Sequence, residues 1–208
     1  MDIRNIYCVG RNFRLHAEEL GNAVPTTPML FTKPSHAVAA IDGGTLAIPA
    51  DRGSVHYEAE LVFAVGSVYE PGMSCDELLS SFTVGLDLTL RDVQDEIKKK
   101  GHPWLAAKGF RNSAVLGRWL PYPGLEKVAA HSFSLRINGV QMQHGEMKDM
   151  VFDLQTLVDF IGREYGLGPG DLIYTGTPAG VGRLQDGDAL EVRWNEETLG
   201  RATVTTKD

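Results

Sequence analysis

Apolar residues recur along the chain in short runs broken by Gly, Pro, Asn and Asp, a rhythm that predicts strands more often than helices. Residues 6–10 read as a strand, after which Asn12 is placed to cap a helix running to Leu20 and stopped at Gly21-Asn22. Met29-Leu30-Phe31, bracketed by Pro25 and Pro34, reads as the next strand, with Lys33 expected in a solvated turn at its exit. Residues 37–48 alternate short apolar pieces around the turn signal Asp42-Gly43-Gly44. Two further strand-like runs cover residues 61–65 and 82–90, and between them Ser74-Cys75-Asp76-Glu77 has the spacing of a capping box, predicting a helix over 75–80. Residues 91–100 read as a helix with acids early and lysines late, supported by Asp95 to Lys99 and Glu96 to Lys100 pairs, so that the lysine run is a solvated helix end. Asn138-Gly139 between residues 133–137 and 140–143 is the strongest hairpin signal, followed by His144-Gly145-Glu146 as loop. Behind Asp153, Leu154, Leu157, Val158, Ile161 and Tyr165 recur at helical steps and predict a core helix ending at Gly166. Residues 171–174 form a strand leading into a glycine-rich loop, and residues 188–194 and 199–205 close the chain as a hairpin. The fold class is α+β and β-rich.

At 208 residues with 43% hydrophobic content, the chain suits one substantial domain. A net charge of −7 provides no diffuse basic surface, which argues against nucleic acid or an anionic membrane as partner. No apolar run approaches the roughly 20 residues of a membrane span, and Met1-Asp2-Ile3-Arg4-Asn5 lacks a secretory leader's apolar stretch, so a soluble, cytoplasmic protein is expected. Cys8 and Cys75 are too few for a disulfide framework and are expected as buried thiols.

The chemistry concentrates around His56-Tyr57-Glu58-Ala59-Glu60-Leu61. On a strand, His56, Glu58 and Glu60 share one face. Two adjacent carboxylates raise each other's pKa and call for a proton, a cation or open water, so both a solvated strand end and a metal-binding pair fit the spacing. Asp87 is the sole charge in the run 82–90, an expensive burial unless compensated, and is a candidate third ligand. Three carboxylates without clustered Cys or His suit Mg²⁺ or Mn²⁺ rather than zinc. His16 and Glu19, three apart on a helix, fit either a surface pair or a general base with its orienting carboxylate. Lys108, between Ala106-Ala107 and Gly109-Phe110, fits either a snorkelling lysine or one facing an anionic ligand. The loop Thr175-Gly176-Thr177-Pro178-Ala179-Gly180-Val181-Gly182 lacks the phosphate-loop order, so nucleotide binding is not expected; its glycines and the Thr177 hydroxyl can still approach a carboxylate.

Taken together, Tyr7-Cys8-Val9-Gly10-Arg11-Asn12-Phe13 followed by His16 and Glu19, Phe31-Thr32-Lys33-Pro34, His56-Tyr57-Glu58-Ala59-Glu60, Gly85-Leu86-Asp87-Leu88-Thr89-Leu90-Arg91-Asp92-Val93-Gln94 and the Thr175 to Gly182 loop resemble the fumarylacetoacetate hydrolase superfamily. The likeness runs in order over nearly the whole chain and is nearest to the small single-domain members of acylpyruvase and oxaloacetate decarboxylase type; the extra N-terminal domain of true fumarylacetoacetases is not matched. The resemblance implies a β-rich mixed roll with a few flanking helices, one catalytic domain over residues 1–208 and a homodimer. It implies Mg²⁺ or Mn²⁺ on Glu58, Glu60 and Asp87, and a lid helix within residues 1–21 carrying the His16 and Glu19 dyad. It further implies Lys108 in the site and Arg11, Gln94 and Thr177 as substrate contacts.

The activity expected from this likeness is cleavage of C–C bonds in small anionic 2-oxo acids, through hydrolysis of acylpyruvates or decarboxylation of oxaloacetate. Both proceed through a pyruvate enolate, with the His16 and Glu19 dyad activating water in the hydrolysis. Keto-enol tautomerisation of oxaloacetate or isomerisation of a dienoate uses the enolate of the intact 2-oxo acid, without that cleavage. A non-catalytic dicarboxylate binder is a third possibility.

Overall fold

The computed structural model describes residues 2–19, 21 and 23–207. Leu20 and Asn22, where the sequence places the end of the first helix, lie outside the described residues.

Among the described residues the strands form sheets of eight, five and three. The largest runs in the order Met29–Lys33, Ile6–Gly10, Leu172–Tyr174, Ala59–Val65, Leu79–Asp87, Ala114–Leu116 and Val38–Ala40, with Leu120–Pro121 also paired to Leu79–Asp87. It is mixed: Ile6–Gly10 runs parallel to Leu172–Tyr174, and Val38–Ala40 parallel to Ala114–Leu116, while the remaining pairs are antiparallel. All seven residues of Ala59–Val65 are buried, which is why this strand reads as a continuous apolar run instead of an alternating one. It pairs with Leu79–Asp87 so that Glu60 faces Gly85. A Cβ at Gly85 would lie 2.4 Å from the Val115 carbonyl, so only glycine lets the third strand approach here.

The five-stranded sheet runs Val140–Glu146, Ser132–Ile137, Ala189–Trp194, Glu197–Lys207 and Asp42–Pro49. Its hairpin turns at Asn138 and Gly139, with φ of 52° and 80°, the left-handed pair that a two-residue hairpin requires. His144-Gly145-Glu146, expected as loop, continues the strand and pairs with Ser132, Phe133 and Ser134. The core lies between these two sheets, where Phe63 stacks on Phe82 and Phe82 meets Trp194 edge-on at 5.0 Å. The third sheet, Gly182–Arg183, Val55–Tyr57 and Thr89–Leu90, crosses next to the acidic segment.

The helix Leu154–Glu164 is capped by Asp153, whose carboxylate accepts from the Thr156 amide at 2.8 Å. Leu154, Leu157, Val158 and Ile161 are fully buried, but Tyr165, expected in the same stripe, is 61% exposed because the helix ends before it. The capping box at Ser74 forms, with a shorter helix, Cys75–Leu78, than expected. The helix Arg91–Lys99 follows the predicted charge order, yet the Asp95 to Lys99 and Glu96 to Lys100 ion pairs do not close among the described residues. Cys8 and Cys75 are buried free thiols. Among the described residues no helix is long and apolar enough to cross a membrane.

Candidate active site

Two neighbouring strands deliver three acids to one place. The chain leaves strand Val55–Tyr57, breaks at Glu58 and re-enters strand geometry at Ala59. The Asp87 amide donates to the Glu58 carbonyl at 2.8 Å, so the end of Leu79–Asp87 is tied to the break. Glu58, Glu60 and Asp87 are 5%, 2% and 1% exposed, and each offers a carboxylate oxygen within 4.8 Å of the others. His56, expected on the same face, is turned away by the break; it makes a 3.1 Å hydrogen bond with Ser54 Oγ and does not line the cleft.

Cations answer this charge unevenly. Lys108 sits on the short helix Leu105–Lys108 and is 2% exposed; its Nζ donates to Glu58 Oε2 and Asp87 Oδ2, each at 2.7 Å. Burial works against its charge, but Asp87 and Glu58 more than restore it, and its pKa is raised. Arg91 Nη2 donates to Glu58 Oε1 at 2.5 Å while Nη1 donates to Gln94 at 2.6 Å. Lys33 is not a solvated turn residue: it ends the strand Met29–Lys33 with 3% exposure, and its Nζ lies 2.7 Å from Asp87 Oδ1. It also donates to the carbonyls of Leu88 and Lys108, which seat the third cation on the same acid cluster. A period-two strand whose last inward position is a lysine has the pattern of a turn exit, and only the neighbouring strand reveals the acid it faces.

Glu60 remains without a cation. Among the described residues its carboxylate has one hydrogen bond, from the Gly176 amide at 2.7 Å, and forms no ion pair. Burial, then the charges of Asp87 and Glu58, push its pKa well above the usual carboxylate range. The Glu58 carboxyl behaves oppositely: burial pushes it up, but Lys108 and Arg91 outweigh that and hold it low. An uncompensated buried acid within reach of two others, all hard oxygen donors, fits a small divalent cation such as Mg²⁺ or Mn²⁺.

The roof comes from the first strand and the segment after it. Arg11 has φ of 59°, and Asn12, expected as a helix cap, instead makes three internal hydrogen bonds: it donates to the carbonyls of Phe152 and Thr175 and accepts from the Phe152 amide. The helix spans Arg14–Glu19. His16, 6% exposed, lines the cleft, and its Nδ1 lies 3.3 Å from Glu19 Oε2. Burial lowers the His16 pKa, keeping the ring neutral near pH 7. Glu19 does not line the cleft; its carboxylate also accepts from the Gly180 amide at 3.2 Å. Gly176, with φ of 99°, presents its amide to Glu60 in a conformation that a side chain would strain.

The cleft is lined by Arg11, His16, Glu58, Glu60, Asp87, Gln94, Lys108 and Thr177. These are all of the sequence-derived site residues except Glu19, which stands behind His16. Sequence reasoning passed over four residues that hold or edge the site: Lys33, Arg91, Lys98 and Gln143. Lys98 belongs to the lysine run read as a solvated helix end and is indeed exposed, but it lines the cleft mouth near Arg11. Arg91 sits three residues before Gln94 on one helix, and that spacing was the available signal.

The profile described as fumarylacetoacetate (FAA) hydrolase C-terminal matches residues 5–206. Oxaloacetate tautomerase YcgM of Escherichia coli K12 is 39% identical over 200 residues, covering 95% of this chain and 91% of that protein. Oxaloacetate tautomerase FAHD1, mitochondrial, of Rattus norvegicus is 37% identical over 190 residues, covering 90% and 86%. Among solved structures, the fumarylpyruvate hydrolase of Pseudomonas aeruginosa in complex with Mn²⁺ and pyruvate superposes with a TM-score of 0.87 at 32% identity, covering 99% of this chain and 91% of that one. With the profile spanning nearly every residue and the same mixed sheets underneath, the chain belongs to the fumarylacetoacetate hydrolase family.

Proposed function

We propose that this protein is a divalent-metal-dependent enzyme for small 2-oxo acids whose reaction is the keto-enol tautomerisation of oxaloacetate. Its family and its relatives process small organic acids, and the E. coli relative is named for this reaction. The observation that carries the choice is the position of the cations. Lys33, Lys108 and Arg91 are bound to acids in the depth of the cleft, whereas Arg11 and Lys98 at its mouth form no ion pair among the described residues. Such a cleft suits a ligand with a carboxylate at each end. Cations at the mouth hold the distal carboxylate as an anion and oppose its loss as neutral CO₂, which disfavours decarboxylation.

A cation held by Glu58, Glu60 and Asp87 supplies Lewis-acid polarisation of the 2-oxo group when bound. Nδ1–H of His16 points to Glu19, which leaves Nε2 as the ring's free nitrogen to take the C3 proton and return it. Thr177 and Gln94 orient the proximal carboxylate, and Arg11 with Lys98 receives the distal one. Asn12 and Gly176 keep the roof and the acid strand in register.

The His16 and Glu19 geometry favours a second reading, in which the same ring activates water and an acylpyruvate is hydrolysed; the P. aeruginosa neighbour is a fumarylpyruvate hydrolase. The test follows enol-oxaloacetate absorbance and pyruvate together, and in a parallel assay pyruvate release from acetylpyruvate, with Mg²⁺ or Mn²⁺, for the parent and His16→Ala. Enol loss without pyruvate, abolished in the variant, is the expected result. Pyruvate appearing in step with enol loss would assign decarboxylation, turnover of acetylpyruvate alone would assign hydrolysis, and no turnover would leave a dicarboxylate binder. We further propose that residues 1–208 act as one catalytic domain in a homodimer, which light scattering of the purified protein checks.

A further inference from the structure

Gln143 is buried at 2% exposure in the middle of strand Val140–Glu146, although its neighbours Met142 and His144 are exposed. Its amide makes three internal hydrogen bonds. Oε1 accepts from the Ala59 amide at 2.8 Å, and Nε2 donates to Thr177 Oγ1 at 2.8 Å and to the Pro178 carbonyl at 2.9 Å. The orientation is dictated by the partners: a backbone N–H can only donate and a carbonyl can only accept, so Nε2 must face the Thr177 and Pro178 side. The Thr177 oxygen is therefore an acceptor from Gln143, and its own proton must go elsewhere. Among the described residues no carbonyl or carboxylate takes that proton. Thr177, 4% exposed, lines the cleft that contains the three acids.

We propose that Gln143 is a positioning residue that commits the Thr177 hydroxyl proton to the cleft, making Thr177 an obligatory donor to an anionic oxygen of the ligand. The inference rests on the small 2-oxo acid reading of the site and adds the residue that sets the direction of one of its hydrogen bonds. Without Gln143 the hydroxyl is free to turn toward the Pro178 carbonyl and is lost to the ligand. The other end of the amide holds Ala59, between Glu58 and Glu60, so one side chain spaces the donor from the acid strand.

The test is a double-mutant cycle read by calorimetric binding of oxalate at saturating Mg²⁺, with melting temperature recorded separately. Oxalate carries adjacent carboxylates, resembles the proximal end of a 2-oxo acid and has no C3 to react. Gln143→Met and Thr177→Val are each expected to weaken oxalate about tenfold or more, the range of a hydrogen bond to a charged group. The double variant is expected to bind no more weakly than Thr177→Val alone. Thr177→Ser, which keeps the hydroxyl, is expected to bind like the parent and to remain sensitive to Gln143→Met. If the loss from Gln143→Met persists in full in the Thr177→Val background, or is absent in the parent background, the inference is overturned while the site reading stands. A parent that binds no oxalate overturns both. If Gln143→Met does not yield folded protein, Gln143→Asn, too short to reach Thr177, carries the same cycle.

Discussion

Glu60→Gln separates a metal site from an incidental acid cluster. Glu60 is 2% exposed, accepts one hydrogen bond from the Gly176 amide and has Glu58 and Asp87 beside it, so its pKa lies well above the carboxylate range, first from burial and then from those charges. In metal-free protein the folded chain keeps a proton on Glu60 that the unfolded chain releases near pH ~4.3. The folded state then binds more protons, so stability is fully present below that pH and falls as pH rises toward the raised value. For one group the slope is at most about 1.4 kcal/mol per pH unit. Gln keeps the acceptor for Gly176 and carries no proton to lose, so the variant's metal-free stability should lack this slope and exceed the parent's at neutral pH. Mg²⁺ acts in the opposite direction, stabilising the parent by about 2.7 kcal/mol at a hundredfold excess over its dissociation constant, or roughly 5–10 °C in melting temperature for a chain of this length. Thermal melts of both proteins from pH 5 to 8, with and without Mg²⁺, measure the two effects together. Equal pH slopes in parent and variant, with no Mg²⁺ increment in the parent, would refute the argument.

Lys33→Met leaves the Asp87 oxygen that Lys33 faces without its cation in a buried setting and should cost about 3 kcal/mol in urea unfolding; a loss below about 1 kcal/mol would show that Lys108 alone neutralises that acid. His16→Ala should abolish turnover yet keep the Mg²⁺ increment in melting temperature, and loss of both would make His16 structural. Because burial lowers the His16 pKa from 6.5, the midpoint of the acid-side decline in the parent's kcat/KM should lie below pH 6.5, as the ring gains a proton and ceases to be a base. Asp153→Ala removes the cap of the helix Leu154–Glu164 and should cost about 1 kcal/mol in denaturant melts without altering oxalate affinity.

The elements that the sequence determined by itself are those whose cause is local. The Asn138-Gly139 turn needs two left-handed residues, the Ser74 box and the Asp153 cap satisfy amides within the same turn, and Leu154, Leu157, Val158 and Ile161 meet at helical spacing whatever else surrounds them. Glu58 and Glu60 were legible for the same reason, since two acids at alternate positions beside an apolar run are conspicuous without any neighbour. Their union with Asp87 follows from an antiparallel pairing, and Asp87 was legible as a candidate third ligand because it is the sole charge in an apolar run, a ligand set that the family resemblance also implies. What only the tertiary structure decided is which acid each cation meets. Lys33 looked solvated because its partner is 54 positions away, from 87 − 33, and Gln143 looked like an ordinary strand residue because Ala59 and Thr177 reach it from two other elements. Asn12 looked like a cap until Phe152 and Thr175 claimed its amide. Charge pairing and polar satisfaction depend on contacts between elements distant in sequence, and no periodicity along the chain records them.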